Sequence, residues 1–342
     1  MSRLHYGKLI MSNTSCPLVS IGLPVFNGDK SLENAIECLL EQDYPNFEII
    51  ISDNASTDST QMICERYSKN ESRIKYFRIE KNLGAIWNFN HVFELSSGIY
   101  FMWAAHDDLR ESSFVSSCVD KLEQHSDAVL CQAHTTNHIE GNDEVLYIAN
   151  LDSFDNEIGL SGRYRETLKY FPATAIYGVY RSSAVRKTHL YQNCIATDLA
   201  FIQELSMYGR FIQVPRVLFK YYARKEWNTV EQDFYCFIGK KNKPWWYLPF
   251  VVLFFNHWNR IASSQNLVRT KILLWLVLIN HEASRIIFRT MIKITGKICP
   301  DDMKENLGRA IYMRWMHNPN INIVNTSLYM ERVIKPVLRW WA

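Results

Sequence analysis

The sequence predicts an α/β protein, a mostly parallel sheet flanked by helices, followed by a mainly helical carboxyl third. Three observations carry that prediction. From residue 18 to about 137, apolar runs of strand length alternate with segments of helical period, as in successive βαβ units. With 342 residues, 47% of them apolar and 21% charged, the chain can bury a full core and has no low-complexity tract. The charge is also uneven. Residues 240–342 hold 16 Lys and Arg against 5 Asp and Glu, a balance of +11, whereas the first 239 residues carry −8. That split implies an acidic globular part joined to a basic part that faces an anionic partner, membrane lipid or nucleic acid.

LVSIGLPVF (18–26) is the first strand, and behind Ser31, a favourable N-cap, Leu32, Ala35, Ile36, Leu39 and Leu40 recur at helical spacing. FEIIISD (47–53) is the second strand. Ser56, Thr57 and Asp58 then offer oxygens to cap a helix whose Ile63, Cys64 and Tyr67 face the core. RIKYFRIE (73–80) is the third strand, and NLGAIWNFNHVFELSSG enters a third helix closed by Gly98. IYFMWAAHDDL (99–109) starts as a fourth buried strand and ends in two adjacent carboxylates, Asp107 and Asp108. Phe114, Val115, Cys118, Val119 and Leu122 give the next helical stripe, and AVLCQAHTTN (128–137) is a fifth strand.

Ligands of open parallel sheets gather beyond the carboxyl ends of the strands. Pro24 to Asn27, Asp53 with Asn54, and Asp107 with Asp108 all fall there. Neither GxGxxG after the first strand nor GxxxxGK[ST] is present, so a dinucleotide fingerprint and a Walker cradle are both unsupported. A hard divalent cation, Mg²⁺ or Mn²⁺, is typically held by one or two carboxylates plus phosphate oxygens, and Asp108 is the candidate ligand. A solvated turn capping the next helix is the bland alternative. In TDLAFIQELSMYG, Leu199, Ile202 and Leu205 share a side and Gly209 stops the helix, which sets Asp198 at its amino end.

Eight cysteines without a CxxC read as reduced core residues. The opening MSRLHYGKLIMSNTSCP has no apolar core of a secretory signal, so a cytoplasmic location is expected. WWYLPFVVLFFNHW (245–258) and ILLWLVLI (272–279) fall short of the ~20 apolar residues of a spanning helix. Arg285, Arg289, Lys293 and Lys297 recur every four residues beside Ile286, Ile287, Met291 and Ile294, and seven of ten tryptophans follow residue 240. That is the pattern of an interfacial helix, so peripheral membrane contact through 240–300 stands beside a packed helical subdomain. No nucleic-acid-binding module is recognisable, and no nucleic-acid partner is expected.

VSIGLPVFNGDKSLENAIECLLEQDYPNFEIIISDNASTDST, KNLGAIWNFN, AAHDDL, PATAIYGVYRSSAVRKT, TDLAFIQELSMYGRF and VPRVLFKYY together resemble, in order and spacing, glycosyltransferase family 2 over roughly residues 18–222. The resemblance implies a GT-A domain over 18–225, between an extension at 1–17 and a helical region at 226–342. It implies an inverting, metal-assisted transfer of a sugar from a nucleotide-sugar donor to a hydroxyl of a glycan or lipid-linked acceptor, in surface polysaccharide or glycoconjugate synthesis. By position, Pro24, Phe26 and Asn27 line the nucleotide pocket and Asp53 and Asn54 meet the base. Asn82, Gly84 and Asn88 belong to the loop closing over the nucleotide, Asp107 faces the ribose, Asp108 the metal, and Asp198 is the catalytic base.

Asn54 stands where the family often has Asp. An amide can accept from N3–H of uracil or thymine while donating to a ring carbonyl, so a UDP- or dTDP-sugar is favoured. Arg181 is expected to be a structural ion-pair partner. Relatives often carry Arg-x-His after the last strand, whereas this chain has Tyr222-Ala223-Arg224. That departure motivates the alternative of a catalytically inactive nucleotide-sugar-binding scaffold at the membrane surface.

Overall fold

The computed structural model describes residues 16–151, 159–170, 172–194, 196–223, 249–298 and 321–324. At its centre lie four parallel strands, β1 (Val19–Val25), β2 (Phe47–Asp53), β3 (Ile74–Arg78) and β4 (Tyr100–Trp103), in the order β4-β1-β2-β3. Every residue of β1 and β2 is buried, because the connecting helices cover both faces of a parallel sheet. Side chains alternate along each strand. Ile49 and Ile51 therefore pack in one core with Leu32, Ile36 and Ile63, while Ile50 packs in the other with Val92, Phe101 and Trp103. The intervening helices are α1 (Leu32–Leu40), α2 (Thr60–Asn70) and α3 (Ala85–Glu94).

The second half is β5 (Leu109–Arg110), α4 (Phe114–Gln124), β6 (Ala128–Ile139), β7 (Asn142–Ala149), α5 (Leu160–Tyr170), a 3-10 turn (Ala173–Tyr177), β8 (Val179–Arg181), α6 (Ser182–Val185), α7 (Thr197–Leu205) and β9 (Arg210–Ala223). β6 pairs antiparallel with β7 and β8 and parallel with β9, and β8 joins this group to β4. β9 reaches back to pair with β5, Leu109 opposite Lys220 and Arg110 opposite Phe219. That return brings Tyr221 and Tyr222 beside Asp108.

The carboxyl third is helical over α8 (Pro249–Ser263) and α9 (Val268–Ile298), but it also returns a strand, β10 (Ile321–Ile323), to the edge of β7. Neither β7, β10 nor α5 is marked in the sequence by a clean period. Arg181 has structural partners, but they are backbone carbonyls and the Tyr100 phenol rather than the carboxylate of an ion pair. Its Nε donates to Ala128 O at 2.7 Å and its Nη1 to Tyr100 Oη at 3.0 Å. No described helix is long and apolar enough to cross a membrane. The six described cysteines are free thiols, four of them buried.

α8 and α9 dock on α5 and α7 through Tyr164, Met207, Ile261, Leu274 and Leu278, and Trp258 stacks on Trp275 at 4.6 Å. Inside this contact lies an ion pair between Arg260 and Glu204, both buried. Arg260 Nε also donates to Asn256 Oδ1 at 2.6 Å and Nη2 to Leu190 O at 2.8 Å, while Glu204 Oε2 accepts from the His189 N–H at 3.0 Å. Removing one partner of such a pair strands the other charge without water. Arg260→Ala is therefore expected to lower unfolding free energy by about 3–5 kcal/mol, read from denaturant midpoints. A loss below about 1 kcal/mol, the worth of a surface pair, would show that the pair does not hold α8 in place.

Candidate functional site

The rim is assembled where β1, β2 and β4 end. Asn27, just past β1, and Ala55, just past β2, both adopt left-handed backbone, with φ of 53° and 63°. That conformation costs a non-glycine residue about 1 kcal/mol, and a web of hydrogen bonds holds it. Asn27 N–H donates to Ser56 Oγ at 2.9 Å, and Thr57 N–H donates to Asn27 Oδ1 at 2.8 Å. Ser56 and Thr57 are thereby spent on the rim, contrary to their expected capping of α2. Ser59 occupies the N-cap of that helix without a side-chain cap bond, and Asp58, one residue before it, accepts from Thr60 N–H at 3.0 Å through its Oδ1. Ser31 occupies the N-cap of α1 but makes no cap bond, its hydroxyl instead meeting His106 Nδ1 at 3.1 Å.

On the expected base side, Asp53 is buried and saturated. Its Oδ1 accepts from Ser56 N–H at 2.8 Å, and its Oδ2 accepts from Tyr76 Oη at 2.9 Å and pairs with Arg78 Nε at 3.2 Å. Asn54 is likewise committed. Its Nδ2 donates to Asn82 Oδ1 at 3.0 Å and Gly84 O at 3.1 Å, and its Oδ1 accepts from Leu83 N–H at 2.9 Å. The Asn54 amide thus ties the 82–84 loop to the end of β2, rather than standing open to a base. Gly84, at φ 89°, opens α3. Asn88 on that helix clamps the first two strands, its Nδ2 donating to Ser52 O at 2.9 Å and Val25 O at 3.3 Å. Pro24 is buried inside β1, backing the rim. Phe26 and Leu83, each 42% exposed, are the large apolar side chains left open on these two loops.

The carboxylate pair does not ride on a strand, because β4 stops at Trp103 and Asp107 and Asp108 sit on the turn before β5. The turn separates their fates. Asp107 is exposed and Asp108 is only 2% exposed. Asp108 Oδ1 accepts from Tyr222 N–H at 3.2 Å, and its buried Oδ2 has no hydrogen-bond partner. Burial pushes the Asp108 carboxyl well up, neighbouring Asp107 adds to this, and Arg110 and the Tyr222 N–H oppose it. An unsatisfied buried carboxylate oxygen beside a second carboxylate is a place where a hard cation would relieve both desolvation and repulsion. Among the described residues no group of three or more His, Cys, Asp or Glu could hold a metal alone. A cation here would have to draw further ligands from a bound phosphate group and water, the usual habit of Mg²⁺.

Asp198 lies in the first turn of α7, directly after Ala196, a third left-handed residue with φ 55°. It is half-buried, and burial raises its carboxyl while its own and the Leu199 N–H hold it partly down. Two observations bring it into the neighbourhood of the pair. Trp103, ending β4, packs edge-on against Phe201 of α7 at 5.3 Å. The phenol of Tyr221 is raised first by burial and then by the charges of Asp108, Tyr147, Asp107 and Asp198. Glu204, Arg260, Asn256 and Gln192 were not anticipated from sequence, yet they brace α7 at both ends, Arg260 at Glu204 near its carboxyl end and Gln192 at Thr197 at its start. Asn256 Nδ2 donates to Gln192 Oε1 at 2.6 Å, and the Gln192 N–H donates to Thr197 Oγ1 at 2.7 Å. The available signal was a lone Glu in AFIQEL and a lone Arg in FFNHWNRIA, charges that must find partners when their segments bury. Arg224 lies outside the described residues.

The profile of Glycosyl transferase family 2 matches residues 20–188. The Bacillus subtilis protein described as a putative teichuronic acid biosynthesis glycosyltransferase, TuaG, is 36% identical over 92 residues, 27% of this chain and 36% of that one. The chain spans between about a third and two thirds of the length of the first curated relatives it matches. Among solved structures, Staphylococcus aureus TarS in complex with UDP superposes with a TM-score of 0.56 at 18% identity, covering 78% of this chain and 72% of that one. A mannosyltransferase from Pyrobaculum calidifontis in complex with GDP-Man and Mn²⁺ superposes with a TM-score of 0.54 at 13% identity, covering 96% of this chain and 86% of that one.

One consequence of the site's electrostatics is measurable without any substrate. Asp108 has a folded pKa above its unfolded value, so the native state holds the extra proton between the two and stability falls as pH rises through that window. Asp108→Asn removes the buried charge. In metal-free buffer at pH 7 it is expected to raise unfolding free energy by on the order of 1 kcal/mol, with the gain vanishing as pH drops below about 4. An unchanged melting temperature at pH 7 would count against a desolvated carboxylate.

Proposed function

Residues 20–188 belong to glycosyltransferase family 2 and fold as a GT-A domain, and from that premise we propose that the protein transfers a sugar, with inversion, from a nucleoside-diphosphate sugar to a hydroxyl of a glycan or lipid-linked acceptor. In this reading residues 18–225 are the catalytic domain and the reaction serves surface polysaccharide or glycoconjugate synthesis. A cytoplasmic site of action suits the free thiols of the described residues. The observation that carries the reading is the half-buried Asp198, its carboxyl raised by burial, in the electrostatic neighbourhood of Asp107 and Asp108.

Asp198 takes the proton of the acceptor hydroxyl as that oxygen bonds to the anomeric carbon and the diphosphate departs from the opposite side. A carboxylate raised toward the working pH by burial is better matched to this task than a free one. Asp108, through its unpartnered Oδ2, would hold Mg²⁺ or Mn²⁺, with Asp107 toward the ribose. When bound, such a cation supplies Lewis-acid stabilisation of the leaving diphosphate. Phe26 and Leu83 offer apolar surface to the base above the floor formed by Asp53 and Asn54. Asn27, Asn82, Gly84 and Asn88 hold the surrounding loops in register, and Pro24 backs them. A UDP- or dTDP-sugar stays the first donor to test on the family resemblance alone, because the Asn54 amide is already engaged by Asn82, Leu83 and Gly84.

A thermal-shift screen of UDP-, dTDP- and GDP-sugars with Mn²⁺ would identify the donor, since a ligand binding only the native state raises apparent stability. With that donor, Asp198→Asn is expected to lower transfer by roughly 10²- to 10⁴-fold while donor binding survives, and Asp108→Asn to lose metal-dependent donor binding as well. The rate should rise with pH along a limb above the ordinary aspartate range near about 4, because burial raises Asp198. Full activity of Asp198→Asn would refute the assignment. Tight donor binding without turnover across acceptors and in hydrolysis assays would favour the scaffold reading instead.

A further inference from the structure

Eight of the fifteen large apolar side chains that stand exposed among the described residues fall between Val251 and Ile279. On α9, Val268, Ile272, Leu276 and Ile279 recur at spacings of four, four and three, so they share one face of the helix. Leu274 and Leu278 occupy the opposite face and are buried against Tyr164, Met207 and Ile261. The helix is apolar on both sides, and only one side has a protein partner among the described residues. The exposed side is most open at the turn from α8, where Leu267 and Val268 are 63% and 73% exposed.

The charge around this face has one sign. From residue 261 to 298 the chain carries six Lys and Arg and a single acid, Glu282, Arg260 being buried against Glu204 and outside this count. Arg269 is exposed beside the apolar turn, and the sequence of α9 goes on through Arg285, Arg289, Lys293 and Lys297. An apolar stripe bordered by cations, in helices too short in apolar length to cross a bilayer, matches an element that lies in the interface of an anionic leaflet. A second copy of the chain is a poorer occupant, since a two-fold contact through this face would bring like charges together. A polyanion such as nucleic acid would meet the cations and leave the apolar stripe wet.

We propose that the α8–α9 face centred on Leu267, Val268, Ile272 and Leu276 is a docking surface for a membrane leaflet containing anionic lipid. The inference does not depend on the donor chemistry.

Sedimentation of the full chain with vesicles tests it. Vesicles of phosphatidylcholine containing phosphatidylglycerol are expected to capture the protein at least about tenfold more tightly than phosphatidylcholine alone, with the difference shrinking in high salt. The variant Leu267→Glu/Val268→Glu/Leu276→Glu, altered only at exposed positions, is expected to lose at least about tenfold in vesicle affinity and to keep the wild-type melting temperature. Wild-type protein left in the supernatant with anionic vesicles overturns the proposal whatever the variant does. So does equal binding to both vesicle types, or a folded triple variant that binds like wild type. A wild-type dimer that the triple variant breaks, without vesicle binding, would reassign the face to contact between copies.

Discussion

The packing of Trp103 is the constraint on which the rest of the site depends. It ends β4, donates its indole N–H to Phe89 O of α3 at 2.9 Å, and meets Tyr180, Tyr191 and Phe201 edge-on at 5.2, 5.3 and 5.3 Å. Its carbonyl accepts from the buried Arg110 at 3.2 Å. One side chain thus joins the helix that opens at Gly84, the strand before the 104–108 turn, and the helix that carries Asp198. Such edge-to-face contacts add about 0.5–1.5 kcal/mol each beyond the area they bury. Because they are directional, they also limit how far the two acid-bearing segments can drift apart.

The rim spends part of the stability that this core supplies. Left-handed backbone at Asn27, Ala55 and Ala196 and the unpartnered oxygen of Asp108 are all unfavourable in isolation. All lie at the carboxyl ends of strands or the start of α7, and none lies in the strand interiors. Such features are not confined to the rim, since Leu190 is also left-handed at φ 53° and Tyr164 Oη is also buried without a partner, but local strain is expected where a surface is shaped for a ligand rather than for its own stability.

Much of the fold was legible because parallel strands buried on both faces read as unbroken apolar runs, as β1 and β2 do, and because α1 and α4 keep a clean helical stripe. β7 was not, since its first three residues are exposed and polar, and α5 has too few apolar residues to mark a face. The positions of Asp53, Asp108 and Asp198 were legible from spacing, but their roles depend on partners remote in sequence. Nothing near Asn54 announces that Leu83 and Gly84 will consume its amide. Strand β4 was read too long because Ala104 and Ala105 continue its apolar character, while the pairing that makes a strand ends at Trp103, two residues before that run does. Pairing is a property of two segments, and a run of apolar residues reports only one.

The bonds from Asn54 to the 82–84 loop set the terms on which any base is recognised there. A newcomer reading that amide does not add contacts to an open group; it trades against three that already exist. Such an exchange yields little affinity when the match is perfect and a steep loss when it is not, because an unmatched trade leaves buried donors and acceptors bare. Selectivity at this position would then come from rejection, and the choosiness of the pocket would exceed its tightness.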